Sequence, residues 1–301
     1  MPLIKYSDVK FSKSRLDLIE KCNEIIRRYK AMGLVLTLRQ LYYQMVVSNA
    51  IENTERSYKR LGSAVSDARM AGLVDWEAIE DRGRSLRSNS HWDSPASIIR
   101  SARQSFSLDK WRNQEFRPEV WVEKQALESV VASACDPLDV PYFACKGYNS
   151  QSQQWAAGMR LAKYVREGQT PIIFHLGDHD PSGMDMTRDN ESRLEVFMGG
   201  VEVRRLALNM DQIQQYSPPP NPAKSTDSRF GGYRDEYGSD SWELDALDPS
   251  ILVELIRSSV LSVRDEYEYA KTVELENMHI NSIYLVEKNW AAVSRYAREL
   301  G

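Results

Sequence analysis

The sequence predicts an α/β protein, with an N-terminal helical domain followed by a C-terminal domain holding a mostly parallel sheet. Three observations predict it. From Val120 onward, short apolar runs alternate with helical patterns, the signature of strand–helix–strand units. The first 80 or so residues instead show three helical patterns closed by a short apolar segment. The charge also divides: residues 1–117 hold 21 Lys and Arg against 14 Asp and Glu, a net of +7, while residues 118–301 hold 18 against 29, a net of −11. A basic front half joined to an acidic back half suggests a polyanion partner met first by the N-terminal part.

The elements follow in order. Residues 14–32 predict an amphipathic helix capped by Ser14 and stopped at Gly33, with Leu16, Ile19, Cys22, Ile25 and Ile26 as its apolar stripe. Thr37 caps a second helix running to about Asn49, and Thr54 opens a third that ends near Gly72. Leu73-Val74-Asp75-Trp76 reads as a short strand. Three helices and a strand in this order suggest a winged helix-turn-helix over residues 1–82. Residues 83–117 are polar, rich in Ser and Arg, and read as a linker with one short helix near Ile98–Phe106. Residues 118–215 predict strands at 119–123, 140–145, 171–177 and 201–208, with helices at 125–134, 151–167 and 183–198 between them. Residues 216–301 form an extension: a long loop at 216–243, then helices near 249–268 and 271–298.

No apolar run approaches the ~20 residues that span a bilayer, and Met1-Pro2-Leu3-Ile4-Lys5 has no signal-type apolar region. A cytoplasmic protein with no membrane partner is the expectation, and the polyanion partner suggested by the basic front half makes it a nucleoid-associated one. Cys22, Cys135 and Cys145 lack metal-type spacing and are expected to be free, buried thiols.

Chemistry concentrates in two places. Glu123 ends the run Val120-Trp121-Val122, and Asp178 and Asp180 follow Ile172-Ile173-Phe174-His175-Leu176-Gly177. Buried parallel strands deliver functional groups at their C-terminal ends. Three carboxylates gathered there would repel one another unless a hard cation sat among them, so Mg²⁺ held by Glu123, Asp178 and Asp180 is expected, with Mn²⁺ as a substitute. His175 and His179 flank the site and are expected to serve packing or DNA contact. Glu243 and Asp245 read as a helix-entry acidic pair that could also reach the metal.

The second place is helix 2. Leu38, Leu41, Tyr42 and Met45 fall on one face, while Arg39, Gln40, Tyr43 and Gln44 fall on the other. Tyr42 is expected in the core and Tyr43 outside, with Arg39 one turn away to favour its phenolate and to hold a phosphate. On the third helix Arg56, Lys59 and Arg60 share a face that suits DNA backbone contact.

Together these motifs resemble the topoisomerase VI A subunit and its relative, the meiotic double-strand-break protein. Arg39-Gln40-Leu41-Tyr42-Tyr43 matches that family's Arg-x-x-x-Tyr helix, Val122-Glu123-Lys124 its toprim glutamate strand, and Gly177-Asp178-His179-Asp180-Pro181-Ser182-Gly183 its Asp-x-Asp-Pro-x-Gly turn. The likeness covers about residues 14–210. The chain is shorter than a usual A subunit and has no ATPase segment, so it looks like a minimal, stand-alone version. The resemblance implies a winged helix joined to a toprim domain, with Tyr43 as nucleophile toward double-stranded DNA, Arg39 as its helper and a 5′-phosphotyrosyl product. It also implies a homodimer, because Tyr43 and the metal lie on different domains, and a separate ATPase subunit if strands are passed. Two alternatives stay open: a hydrolytic Mg²⁺-dependent toprim endonuclease, and a non-catalytic DNA-binding protein.

Overall fold

A computed structural model describes residues 3–79 and 89–300. In chain order its helices are α1 (Lys13–Ala31), α2 (Leu38–Val47), α3 (Glu55–Met70), α4 (Pro95–Ser105), α5 (Glu128–Cys135), α6 (Gln151–Arg166), α7 (Pro181–Met198), α8 (Met210–Tyr216), α9 (Phe230–Tyr237), α10 (Pro249–Ser262), α11 (Glu266–Lys288) and α12 (Trp290–Leu300). Strands β1 (Phe116–Val122), β2 (Tyr142–Ala144), β3 (Thr170–Leu176) and β4 (Glu202–Ala207) form one sheet, and β5 (Asn221–Pro222) pairs antiparallel with β6 (Asp240–Ser241). The α/β class and the flanked parallel sheet are therefore as expected.

The chain divides into two units, Met1–Gly83 with Pro118–Ser262 and Arg84–Arg117 with Val263–Gly301. The division runs differently from the four segments read along the sequence. The three-helix region and the sheet belong to one unit, and the stretch read as a linker belongs to the other.

In the first unit α2 and α3 start where hydroxyl caps dictate, whereas α1 starts at Lys13, so the expected cap Ser14 lies inside the helix and Ser12 before it makes no side-chain cap bond. Thr37 Oγ1 accepts from Gln40 N at 3.2 Å, and Gln40 Oε1 accepts from Thr37 N at 2.8 Å, a reciprocal capping box. Thr54 Oγ1 accepts from Ser57 N at 3.1 Å. Gly33 follows α1 with φ +75°, a left-handed conformation that glycine adopts without strain. Leu18, Ile19, Cys22, Ile26, Leu41, Met45, Leu61, Val65 and Ala68 close the core of this region. The strand expected at 73–76 is absent: residues 72–74 and 76–78 form turns and bends, and the flanking Ala71 and Ile79 make single bridges to Lys5 and Leu36. Val74 is buried as an apolar anchor within a turn, which a short apolar run alone does not distinguish from a strand.

The sheet has the order β2-β1-β3-β4. Val120, Trp121 and Val122 align in parallel with Tyr142, Phe143 and Ala144, and β3 aligns in parallel with β4. Ile172, Ile173, Phe174 and Leu176 have no exposed surface, because helices cover both faces of the central strand. The region expected as a long loop carries β5, α9 and β6. Cys22, Cys135 and Cys145 are free and buried as expected, and burial pushes each thiol up to about 12. Among the described residues no helix is long and apolar enough to cross a membrane.

The second unit is built from two distant pieces. Within it α4 packs on α11, and Arg100 Nε and Arg103 Nε each donate to the Glu287 carboxylate at 2.8 Å. Lys110 Nζ reaches Glu276 at 3.0 Å, and Gln114 exchanges hydrogen bonds with the backbone of Asp265.

Candidate active-site cleft

In an open parallel sheet the crevice for a ligand opens where the strand order reverses. Here β1 leads outward to β2, and β3 leads the other way to β4, so the reversal falls between β1 and β3. Glu123 follows β1, and Asp178 and Asp180 follow β3. All three line a cleft of about 580 Å³, together with Arg39, Lys124, Lys146, Lys224 and Glu243.

Local chemistry fixes each carboxylate. Glu123 N extends the ladder by donating to Leu176 O at 2.8 Å, and Glu123 Oε2 accepts from Asp178 N at 2.9 Å. Asp180 caps α7: its Oδ1 accepts from Gly183 N at 2.6 Å and from Ser182 Oγ at 3.1 Å. Gly183 is required there, because a Cβ would lie 2.3 Å from Asp178 O. From β4, Arg205 Nη2 donates to Asp178 O at 2.6 Å and to Gly177 O at 3.1 Å, while its Nη1 donates to Gly183 O at 2.9 Å. Burial holds this guanidinium down at about 10. Arg205 thus staples the acidic turn to the sheet. Sequence reading passed over it, although a charge inside a buried parallel sheet is a signal that it has polar partners.

Asp178 is already paired. Its Oδ1 accepts from Leu244 N at 2.7 Å and lies 2.9 Å from Lys124 Nζ. Lys124 also lies 2.9 Å from Glu243 Oε2 and 2.9 Å from Asp245 Oδ1, so one ammonium sits among three carboxylates. Burial would depress the Lys124 ammonium, but Asp245, Asp178 and Glu243 together raise it above its ordinary value. Arg39 Nε reaches Asp245 Oδ2 at 2.9 Å, and Arg39 Nη2 meets Glu243 Oε2. Glu243 and Asp245 are therefore the anionic partners of Arg39 and Lys124, drawn in by the antiparallel bridge between His179 and Trp242. As residues of a distant segment, they carried no sequence signal for this pairing.

Helix α2 corrects two expectations. Tyr43 is buried, as are Gln40, Gln44 and Tyr42: the turn Leu244–Ala246 packs on α2 with Ala246 in the same core as Tyr43, and from α1 Arg28 Nη2 donates to Gln44 Oε1 at 3.1 Å. Its hydroxyl lies 3.3 Å from Arg39 Nη2, and the guanidinium sits 5.6 Å from its ring centre. Burial first, then Asp245 and Glu243, raise the phenol above its ordinary value and outweigh the opposing Arg39, so Arg39 does not hold Tyr43 as phenolate. The tyrosine and the carboxylates, expected on different domains, share one compact unit. Arg39 is shared by the main cleft and by a smaller one of about 280 Å³ that Tyr43 lines.

Burial pushes Glu123 up to about 7, with Asp178 adding to the rise, and pushes Asp178 up to about 6 against the pull of Lys124. Glu243 is opposite: burial would raise it, but Lys124 and Arg39 hold it at about 2. Among the described residues no three Asp, Glu, His or Cys side chains form a ready-made metal group. Mg²⁺ needs only one or two carboxylates, with water and phosphate oxygens completing its shell. Glu123 and Asp178 suit that role: they offer oxygen donors, line the cleft, and carry raised proton affinities that a dication would relieve. The histidines pack as expected: His175 Nδ1 lies 2.8 Å from Thr187 Oγ1, His179 Nδ1 lies 2.8 Å from Tyr233 Oη, and burial lowers them to about 3 and about 4.

Arg56, Lys59 and Arg60 are exposed on α3, with Tyr58, Leu61, Val65 and Ala68 turned inward as expected. Lys59 pairs with Glu55 at 2.6 Å, while Arg56 and Arg60 line a separate cleft of about 560 Å³ with Thr54 and Ser57. No protein-family model, curated protein or solved structure matches this chain, so the reading of the site rests on its own geometry.

Proposed function

We propose that this protein cleaves and rejoins double-stranded DNA by tyrosine transesterification, as a topoisomerase VI A-like enzyme. The observation that carries the reading is the continuous run from Tyr43 through Arg39, Glu243 and Lys124 to Asp178, within a single unit. Tyr43 Oη attacks phosphorus, the 3′ oxygen departs with the phenolic proton, and a 5′-phosphotyrosyl link remains. Arg39 steadies charge on the phosphoryl oxygens. Glu123, Asp178 and Asp180 would hold Mg²⁺, which when bound supplies neutralisation of phosphate charge. Arg56, Lys59 and Arg60 grip the DNA backbone away from the scissile bond. The reading extends to a homodimer that cuts both strands and to a separate ATPase subunit for strand passage.

The burial of Tyr43 favours one second reading, hydrolysis by an activated water at the same carboxylates. A cleavage assay followed by protease digestion separates the two. Under the tyrosine reading, Tyr43→Phe loses covalent DNA capture, keeps DNA binding and stays within about 1 kcal/mol of wild-type stability. Cleavage by Tyr43→Phe that leaves free 5′-phosphate ends would make water the nucleophile.

A further inference from the structure

Glu243 bridges two cations, Arg39 and Lys124, which also meet Asp245 and, at Lys124, Asp178. Its Oε2 accepts from Arg39 Nη2 and from Lys124 Nζ, the latter at 2.9 Å, so one oxygen bridges a guanidinium and an ammonium. A non-bridging phosphate oxygen takes the same place between two such donors.

Asp245 differs from Glu243 in what it can do. Its side chain has no exposed surface; its Oδ1 accepts from Lys124 Nζ at 2.9 Å, and its Oδ2 lies 2.9 Å from Arg39 Nε as an ion pair without hydrogen-bond geometry. It is the fixed floor that keeps both cations aligned. Glu243 keeps 27 % of its side chain exposed and faces the 580 Å³ cleft. The backbone on either side is tied down: Trp242 N donates to His179 O at 2.9 Å, and Leu244 N donates to Asp178 Oδ1 at 2.7 Å. Only the Glu243 side chain needs to swing for the clasp to empty. Lys146 and Lys224 line the same cleft and draw anions toward it.

We propose that Glu243 is an internal gate, a carboxylate that fills the Arg39–Lys124 anion site until a DNA phosphodiester displaces it. The identity of the ligand rests on the DNA-cleavage reading; the gate itself rests on the clasp. Displacement places a phosphate against Arg39, whose Nη2 also reaches the Tyr43 hydroxyl. Entry of substrate and assembly beside the tyrosine are then one event.

The test uses the full chain in EDTA, with Glu243→Gln and Glu243→Ala compared with wild type. Glu191→Gln, at an exposed position on α7, matches the change in net charge. The probes are a fluorescent DNA duplex, read by anisotropy across a salt series, and inorganic pyrophosphate, read by calorimetry. Both Glu243 variants are expected to bind both probes about tenfold more tightly than wild type and Glu191→Gln, with a salt slope for the duplex steeper by about one. If neither Glu243 variant binds pyrophosphate or duplex more tightly than Glu191→Gln, the gate is overturned. If pyrophosphate binding tightens while no protein binds the duplex, the gate stands and the DNA reading falls.

Discussion

Replacing Lys124 with methionine tests the electrostatics of the cleft most directly. The side chains have similar length, so packing is nearly preserved and the charge is lost. The ammonium lies 2.9 Å from each of Asp178, Glu243 and Asp245, and Asp245 has no exposed side-chain surface. Removing one partner of a buried ion pair leaves an uncompensated charge and costs about 3–5 kcal/mol. Arg39 still compensates Glu243 and Asp245, so the lower end, about 3 kcal/mol, is expected. That corresponds to a drop in Tm of roughly 6–12 °C for a unit of this size. The pH dependence has a defined sign. Asp178 is already raised to about 6, mainly by burial, and Lys124 opposes the rise. Without Lys124 it rises further, so the folded variant holds a proton that the unfolded chain has released. The deficit of Lys124→Met should therefore grow as pH rises from 5 to 8 and shrink on acidification. Urea unfolding in EDTA at pH 5, 6.5 and 8 measures it. A loss below 1 kcal/mol that is equal at all three pH values would refute the ion cluster.

The other carboxylate gives a change of opposite direction. Glu123 is raised to about 7 by burial and by Asp178, so native stability is lost as pH climbs from its ordinary range through 7. Glu123→Gln, which keeps an oxygen to accept from Asp178 N, should be more stable than wild type at pH 8 by about 1–3 kcal/mol and no more stable near pH 4.5; thermal melts in EDTA at the two pH values check this. Gly183→Ala forces a Cβ to 2.3 Å from Asp178 O, so it should cost about 1–3 kcal/mol and lower Mg²⁺ affinity, both read by melts with and without the metal.

Much of the fold was legible because its signals are local. Val120-Trp121-Val122 and Ile172-Ile173-Phe174 are short apolar runs alternating with helical patterns, and both became strands buried on both faces. Thr37 and Thr54 announced α2 and α3 through caps that need no tertiary partner. The failures share a different cause. Tyr43, Gln40 and Gln44 were assigned to solvent by helical spacing, but the turn Leu244–Ala246, some 200 residues away, and α1 both pack on that helix. Lys124 entered only as the neighbour of Glu123 in Val122-Glu123-Lys124, and its role as cation for Asp178, Glu243 and Asp245 depends on three separate segments meeting. The carboxylates themselves were found because a strand end followed by acid is a local pattern. Their charge balance was not, because it is a property of the assembled cleft.

The second unit has a consequence for synthesis. Its α4 ends at Ser105, and the helix it packs on, α11, begins at Glu266, with the whole parallel sheet encoded between them. On a ribosome α4 therefore emerges long before its partner exists. At about 5–20 residues per second, it waits on the order of ten seconds or more with Arg100 and Arg103 unpaired from Glu287. Closure of that unit is a late event, ordered after the sheet by the sequence of translation. In vitro refolding, which releases both pieces at once, removes that order, so nascent and refolded chains reach the α4–α11 pair by different routes.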